Sequence, residues 1–254
     1  MSSSHADSAG QPWEGRHFEP NASAQDDGSA PPEFLAAVAD LRQGRASLRD
    51  VVDVVRECRF LIPLVAVAGE TAQTESGQTF EKSQELSIIT VSGPDGRAIL
   101  PVFSSVAAMA HWRADARPVP ADAVRVALAA ASESTDRIVI DARGETELVL
   151  PRPAVWAIAQ QVPWVPAVED DAVLEAIARS AEAHPEVWAA SLIAGDPLGR
   201  GADPEVIVRL AIEPGLAAER LRDIVGALSA AWAADATVAL SLDSLSVQPI
   251  AAPR

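Results

Sequence analysis

The residues able to do nucleophilic or metal chemistry are few and scattered along this chain. It has four histidines and a single cysteine, Cys58, and metal sites need several convergent ligands of those types. Cys58 comes at the end of an amphipathic stretch far from His111, so we favour a packed thiol over a nucleophile. Neither the serine-hydrolase elbow nor the phosphate-binding P-loop occurs. We predict no metal site, no cofactor and no catalytic residue, and expect a protein that is not an enzyme.

Asp141 is the carboxylate whose position best suits a binding role. It ends the apolar strand Ile138–Ile140, and ligands often bind where the strands of a sheet end. With Arg143 and Ser104 it defines a candidate site for a small molecule or for weak hydrolysis, in a cleft between domains. The alternative is structural, an Asx-type turn that leads into Gly144, and we favour it.

Large aromatic side chains are scarce, with no tyrosine, six tryptophans and five phenylalanines. Such side chains often anchor interfaces, although we expect most of these in the core. The candidates are Phe103, Trp112, Trp156, Trp164 and Trp188. Trp164 lies between Pro163 and Pro166 in a stiff, extended segment. We therefore expect Trp164 at a contact between domains or subunits.

Apolar periodicity and turn residues predict an α+β fold with two small domains, each a β-sheet with helices packed on it. Residues 1–32 are predicted to be a disordered acidic tail, 33–164 the first domain and 165–254 a second domain of order α-β-β-α-β. The first domain is predicted to begin with two helices, a strand Arg59–Ala68 and a polar loop Glu70–Gln84, followed by a hairpin around Gly93–Gly96. After the hairpin we predict one helix that ends at Trp112 and another that starts at Pro120. The domain is predicted to end with the strands Arg137–Asp141 and Glu147–Leu150 and a helix from Pro153. In the second we predict strands Val187–Ala194, Glu205–Ile212 and Thr237–Val247 and a helix Leu216–Ala234.

The charge is strongly negative, with 20 Lys and Arg against 36 Asp and Glu and a net charge of −16. A phosphate backbone would be repelled over most of such a surface, so we do not expect nucleic acid as a partner. Several arginines gather in the first two predicted helices, where acids are interspersed, and we favour a solvated, salt-bridged surface over a binding strip. They are Arg42, Arg45, Arg49, Arg56 and Arg59.

The chain has no predicted membrane span and no pattern typical of a secretory signal. Its longest uncharged stretches are shorter than a bilayer requires, and one cysteine cannot form an intrachain disulfide. We expect a cytoplasmic protein.

Several motifs together resemble the SseB family. They are FLIPLVAV at Phe60–Val67, LPVFSSVAAMAHW at Leu100–Trp112, VIDARGETELVLPR at Val139–Arg152 and PEVIVRLAIEPG at Pro204–Gly215. The chain departs from the family at Asp141-Ala142, where an Asn-Pro-type turn is usual. The resemblance implies an SseB N-terminal domain followed by a distinct SseB C-terminal domain.

What the resemblance implies about function is an adaptor or regulatory role, because no catalytic residues are established for the family. It leaves secretion-related and translation-related processes open. We therefore expect a non-enzymatic protein that binds a protein partner. One candidate for this partner is a second copy of the same chain, which would make the protein a homo-oligomer. The candidate binding residues are Phe103, Ser104, Trp112, Asp141, Arg143 and Trp164.

Overall fold

The computed structural model describes residues 26–67, 72–73, 79–80 and 85–252. Most of the predicted acidic tail and of the polar loop 70–84 lies outside these residues. Residues 26–31, at the end of the predicted tail, contact the first unit. Arg59 bonds the carboxylate of Asp26 and the carbonyl oxygen of Ser29, and the Val106 amide donates to the Gly28 carbonyl at 2.9 Å. The packed part of the chain thus begins before residue 33.

Within the described ranges, the first unit contains five helices around two main sheets. The helices are α1 Pro32–Arg42, α2 Leu48–Val55, α3 Val106–Trp112, α4 Ala123–Ser132 and α5 Arg152–Ala159. The strands are β1 Arg59–Val67, β2 Ala72–Gln73, β3 Thr79–Phe80, β4 Glu85–Ile88, β5 Val91–Ser92, β6 Ala98–Val102, β7 Arg117–Asp122, β8 Arg137–Ile140 and β9 Leu148–Leu150. One sheet has the order β4-β1-β7 and the other β5-β6-β8-β9, while β2 and β3 pair with each other.

Local sequence explains where several of these elements begin and end. Ser47 caps α2 through a capping box with Asp50, whose carboxylate accepts the Ser47 amide at 2.8 Å. The predicted hairpin around Gly93–Gly96 is present between β5 and β6. The predicted helix start at Pro120 is wrong, because that residue lies in β7 and Asp122 caps α4 instead.

The second unit packs helices against one three-stranded sheet of order β10-β11-β12. Its elements are a short 3-10 helix Ala167–Glu169, α6 Asp171–Ala181, β10 Val187–Ala194, β11 Val206–Ile212, α7 Ala218–Ala234, α8 Ala236–Ser241 and β12 Leu245–Ala251. The predicted strand Thr237–Val247 is wrong in its first half. The Asp235 carboxylate accepts the amides of Thr237 and Val238, which starts a helix there.

The mixed architecture confirms the α+β prediction, with helices packed on sheets in both units. The buried apolar residues form two main clusters, one running from Phe34 to Trp164 and the other from Ala167 to Leu242. The change from one cluster to the other falls between Trp164 and Ala167, next to the predicted limit between residues 164 and 165. The division into two domains itself stays a prediction.

Arginines of the first unit make most of the polar contacts between the two units. They are Arg42, Arg49, Arg97, Arg137 and Arg152. Arg42 and Arg152 donate to backbone carbonyls, those of Leu198 and Leu242. Arg49 forms an exposed ion pair with Glu169 at 2.8 Å. Such exposed pairs contribute little, so the buried contacts decide how firmly the units are joined.

Asp243 is the acceptor at the centre of this interface. Its side chain is 3% exposed and bonds Arg97 at 2.9 Å and Arg137, whose own side chain is 8% exposed. Arg137 also reaches Asp95 at 2.8 Å. Beside this cluster the Val149 amide of β9 donates to the Gly199 carbonyl of the second unit at 2.8 Å. Charge pairing near the starts of β6 and β8 and a backbone hydrogen bond from β9 therefore join the units.

Replacing Asp243 with Ala tests this interface. The change leaves the buried Arg137 guanidinium without its main acceptor, so we expect the free energy of unfolding to fall by about 3 kcal/mol. Chemical denaturation followed by circular dichroism measures it. The matched control is Asp223→Ala at an exposed position of α7, where we expect a change within about 0.5 kcal/mol. Equal effects of the two substitutions would contradict a structural role for Asp243.

Candidate functional site

Asp141 and Ser104, two of the predicted binding residues, are buried and bonded to each other. The Asp141 carboxylate accepts the Ser104 amide and hydroxyl, each at 2.7 Å, and the Thr146 hydroxyl at 2.6 Å. Asp141 is 1% exposed and adopts a positive φ of 52°, and its carbonyl accepts the Gly144 amide at 2.8 Å. Three donors occupy this carboxylate, so its contacts are those of a structural residue rather than of an open ligand site. The turn into Gly144 is closed by the Asp141 carbonyl and not by its carboxylate, so it is not the Asx-type turn that we predicted.

Arg143 follows Asp141 but is exposed, and its backbone amide donates to the Glu147 carboxylate at 2.5 Å. Its φ of 66° places it in the left-handed region, which is uncommon for a residue with a side chain. The turn therefore fixes the Arg143 backbone. Among the described residues, the exposed guanidinium makes no hydrogen bond with Asp141 or Ser104.

Phe103 and Trp112 pack on each other in a small cluster of the first unit. Their ring centroids lie 5.1 Å apart, and Phe103 is fully buried beside Leu61 and Met109. Phe103 and Leu61 also exchange two backbone hydrogen bonds at 2.8 and 2.9 Å. These bonds link β1 to the end of β6, so Phe103 joins the two sheets of the first unit.

Cys58 lies just after α2 and is 3% exposed. Burial raises the pKa of its thiol to about 11. Because the thiolate is the nucleophilic form, this environment disfavours nucleophilic chemistry at neutral pH. The geometry agrees with a packed thiol.

Trp164 lies at the meeting of the two units, where it lines a mainly apolar cavity of about 270 Å³. This volume is close to the lower end of the range for ligand pockets, roughly 300 Å³. The apolar wall includes Leu41, Leu48, Trp164, Pro166, Val168, Pro197, Leu198 and Val206. We call this space the inter-unit cavity. It is the site that the described residues support best for a small molecule.

Two buried polar atoms of residues that line the inter-unit cavity have no hydrogen-bond partner among the described residues. They are Nε1 of Trp164 and Oε1 of Glu205. The other carboxylate oxygen of Glu205 accepts the Asp243 amide at 2.6 Å. Burial, with a smaller contribution from the Asp243 charge, raises the pKa of Glu205 to about 7. Its carboxyl group is therefore able to exchange a proton near neutral pH.

Glu205 was not among the residues predicted from the sequence. The chain has 36 acids, and nothing in the local sequence distinguishes one that directly precedes a strand. Its environment depends on Asp243 and Ser244, which come nearly forty residues later. Only the three-dimensional packing of the second unit identifies it.

A second candidate surface is the face of the β10-β11-β12 sheet that points away from the second core. The strand register places three rows of residues on it, and we call it the open face. Its residues are Ala189, Ser191, Ile193, Ile207, Arg209, Ala211, Ser246, Gln248 and Ile250. Ile250 is 41% exposed, and Trp188, at a register irregularity in β10, is 55% exposed. The second core draws its buried strand residues from the opposite face.

Within the described part of the chain, no group of three or more His, Cys, Asp or Glu residues is arranged to hold a metal ion. None of the helices described there is long and apolar enough to cross a membrane.

Residues 33–157 match the family model of the SseB protein N-terminal domain. The first unit therefore contains an SseB N-terminal domain, which confirms the resemblance to the SseB family seen in the sequence. The match ends before the second unit, so an SseB C-terminal domain at 165–254 stays a prediction. A search of curated proteins found no match, and neither did a search of solved structures.

Replacing Asp141 with Ala tests its structural role. The variant leaves the buried amide and hydroxyl of Ser104 without acceptors, so we expect a loss of about 2–4 kcal/mol in the free energy of unfolding. Asp141→Asn keeps one carbonyl oxygen and should lose less. Glu145→Ala, at an exposed position of the same turn, is the control. A stable Asp141→Ala protein would overturn this structural role.

Glu205→Gln tests the raised pKa through the pH dependence of stability. The folded state holds the Glu205 proton up to about pH 7, whereas the unfolded chain releases it near its ordinary pKa of 4.5. Wild-type stability therefore falls between these pH values, and the variant lacks this loss. We expect the stability of the variant relative to wild type to grow by about 3 kcal/mol between pH 4.5 and 8. A pH-independent difference in denaturation free energy would contradict the assignment.

Proposed function

We propose that this protein is a non-enzymatic, cytoplasmic adaptor that binds a protein partner through the open face of its second unit. The observation that carries the proposal is the exposure of Trp188 and Ile250 beside this face. Exposed tryptophan is costly to leave in water and is a frequent anchor of protein interfaces. The SseB N-terminal domain supports an adaptor role, since the resemblance brings no catalytic residues with it.

The open face also offers specific polar contacts. Arg209 lies in its middle row, is exposed, and donates from Nε to the Gln248 side chain at 3.0 Å. This bond uses one guanidinium N–H and orients the group, which carries further donors for a carboxylate or carbonyl oxygen. A partner segment that fits would place an apolar side chain on Trp188 and an acidic or carbonyl oxygen on Arg209.

The contacts between the units suit such a role, because an adaptor gains from presenting its face on a rigid support. The ordering of loops and side chains on binding costs free energy, and a preorganised sheet reduces that cost. The exposed residues of the open face lie on paired strands rather than on loops, and the pairing of β10 with β11 has one register irregularity, at Trp188.

A photo-crosslinking amino acid at Ser191 tests the proposal in cells that produce the protein. We expect one specific crosslinked band, weakened at least about tenfold by Trp188→Asp, because the charge removes the apolar anchor. The matched control is Leu128→Asp on α4, since Leu128 and Trp188 are both 55% exposed.

The outcomes of this experiment separate the alternatives. A band at twice the mass of the chain would identify the partner as a second copy of the protein. Crosslinking that Trp188→Asp leaves unchanged, or the absence of any specific band, would contradict binding through the open face.

A further inference from the structure

We infer that two copies of this chain form a symmetric dimer by pairing the outer edges of their β10 strands in antiparallel orientation. The two-fold axis passes beside Leu192, and the β12-β11-β10 sheet of one copy is continued by the β10-β11-β12 sheet of the other. The outer edge of β10 is a different surface from the open face, so this inference goes beyond the proposed function.

Three residues of β10 direct their backbone hydrogen-bonding groups away from the sheet. Just beyond the strand, the Gly195 amide donates to the Glu205 carbonyl at 2.8 Å. In an antiparallel ladder every second residue bonds the neighbouring strand, so this bond assigns the odd-numbered residues from 189 to 193 to β11. The N–H and C=O groups of the residues between and after them point outward. These residues are Ala190, Leu192 and Ala194.

The outward groups of β10 make no backbone hydrogen bond within the described ranges of the chain. Residues 187–194 also contain no charged residue, proline or glycine. Proteins usually protect an exposed strand edge with such residues, because the unpaired groups of an edge are a template for another strand. Ala194, the outward residue that lines the inter-unit cavity, is exposed, so the edge is accessible at that end.

The opposite edge of the same sheet is protected. The Ala252 amide donates to the Ile212 carbonyl at 2.9 Å, so the even-numbered residues of β12 bond β11 and the odd-numbered residues point outward. One of these outward residues is Pro249, which has no N–H group to offer. The edge of β12 is therefore interrupted by a proline, and that of β10 is the open one.

A second copy of the chain is the occupant that this edge fits. With the axis at Leu192, Ala190 of each copy lies opposite Ala194 of the other, so all three outward residues of both copies form hydrogen bonds. The dimer is closed, because both ends of the combined sheet are then β12 edges that contain Pro249. The chain has a net charge of −16, but the paired strands themselves carry no charge that repels a copy.

Analytical ultracentrifugation of the purified full chain tests the inference. We expect the weight-average mass to rise towards that of a dimer as the protein concentration increases. Ala194→Pro removes one outward N–H group per copy and thus two hydrogen bonds of the dimer, so the dissociation constant should rise at least about tenfold. The matched control is Ala251→Pro, which changes an exposed, outward alanine at the end of β12 and should leave the constant unchanged. Circular dichroism establishes that both variants are folded.

A pair of cysteines tests the register without a proline. Ser191 of one copy and Ile193 of the other form a non-hydrogen-bonded pair, in which the Cα atoms lie about 4.5 Å apart, within the range of a disulfide. With diamide as oxidant, we expect Ser191→Cys/Ile193→Cys to give a covalent dimer and neither single variant to do so. The native Cys58 is 3% exposed and is present in every variant, so it does not affect the comparison.

A monomer at every concentration, a dissociation constant that Ala194→Pro leaves unchanged, or equal crosslinking by the single cysteine variants would each overturn the inference. A monomeric chain would still leave the open face free to bind another protein, so the two proposals fail separately. In the crosslinking experiment at Ser191, a band at twice the mass of the chain would report this dimer.

Discussion

The buried ion pair between Arg137 and Asp243 is the contact on which the arrangement of the two units depends. Asp243 follows α8 in the second unit, and Arg137 begins a central strand of the first unit's sheet. The attraction within a buried charged pair offsets the free-energy cost of desolvation only when both partners are well hydrogen-bonded. Here Arg97 and Asp95 complete the cluster. The loop that contains Gly199 packs beside it, and a Cβ there would lie 2.8 Å from Leu148, so glycine permits the approach.

The inter-unit cavity is a consequence of this contact between the units. Its walls come from α1 and α2, from the segment 164–169 and from the ends of β10 and β11, so neither unit encloses it alone. The Arg49–Glu169 pair and the Arg137–Asp243 pair hold the units together, while the cavity wall contains little polar surface. Trp164, predicted to lie at a contact between domains, belongs to the buried core of the first unit and also lines the cavity.

Features that depend on neighbouring residues were predictable from the sequence. The limits of β10, the Ser47 cap of α2 and the hairpin at Gly93–Gly96 agree with the structure. The helix α8 was missed, because our prediction of a strand Thr237–Val247 did not consider Asp235 as a helix cap. The Arg137–Asp243 pair joins residues 106 positions apart, and no local signal separates these residues from the other charged groups. The unpartnered atoms of Trp164 and Glu205 follow only from three-dimensional packing.

Native-state hydrogen exchange at the Val149 amide tests most directly whether the two units form one joined structure. This amide donates to Gly199 of the other unit, whereas Leu150 beside it belongs to the β8–β9 ladder of the first unit. If the contact between the units persists in solution, the opening free energy measured at the Val149 amide will approach that measured at the Leu150 amide. Exchange of Val149 hundreds of times faster than Leu150 would contradict the account, because it would mean that the units separate without unfolding.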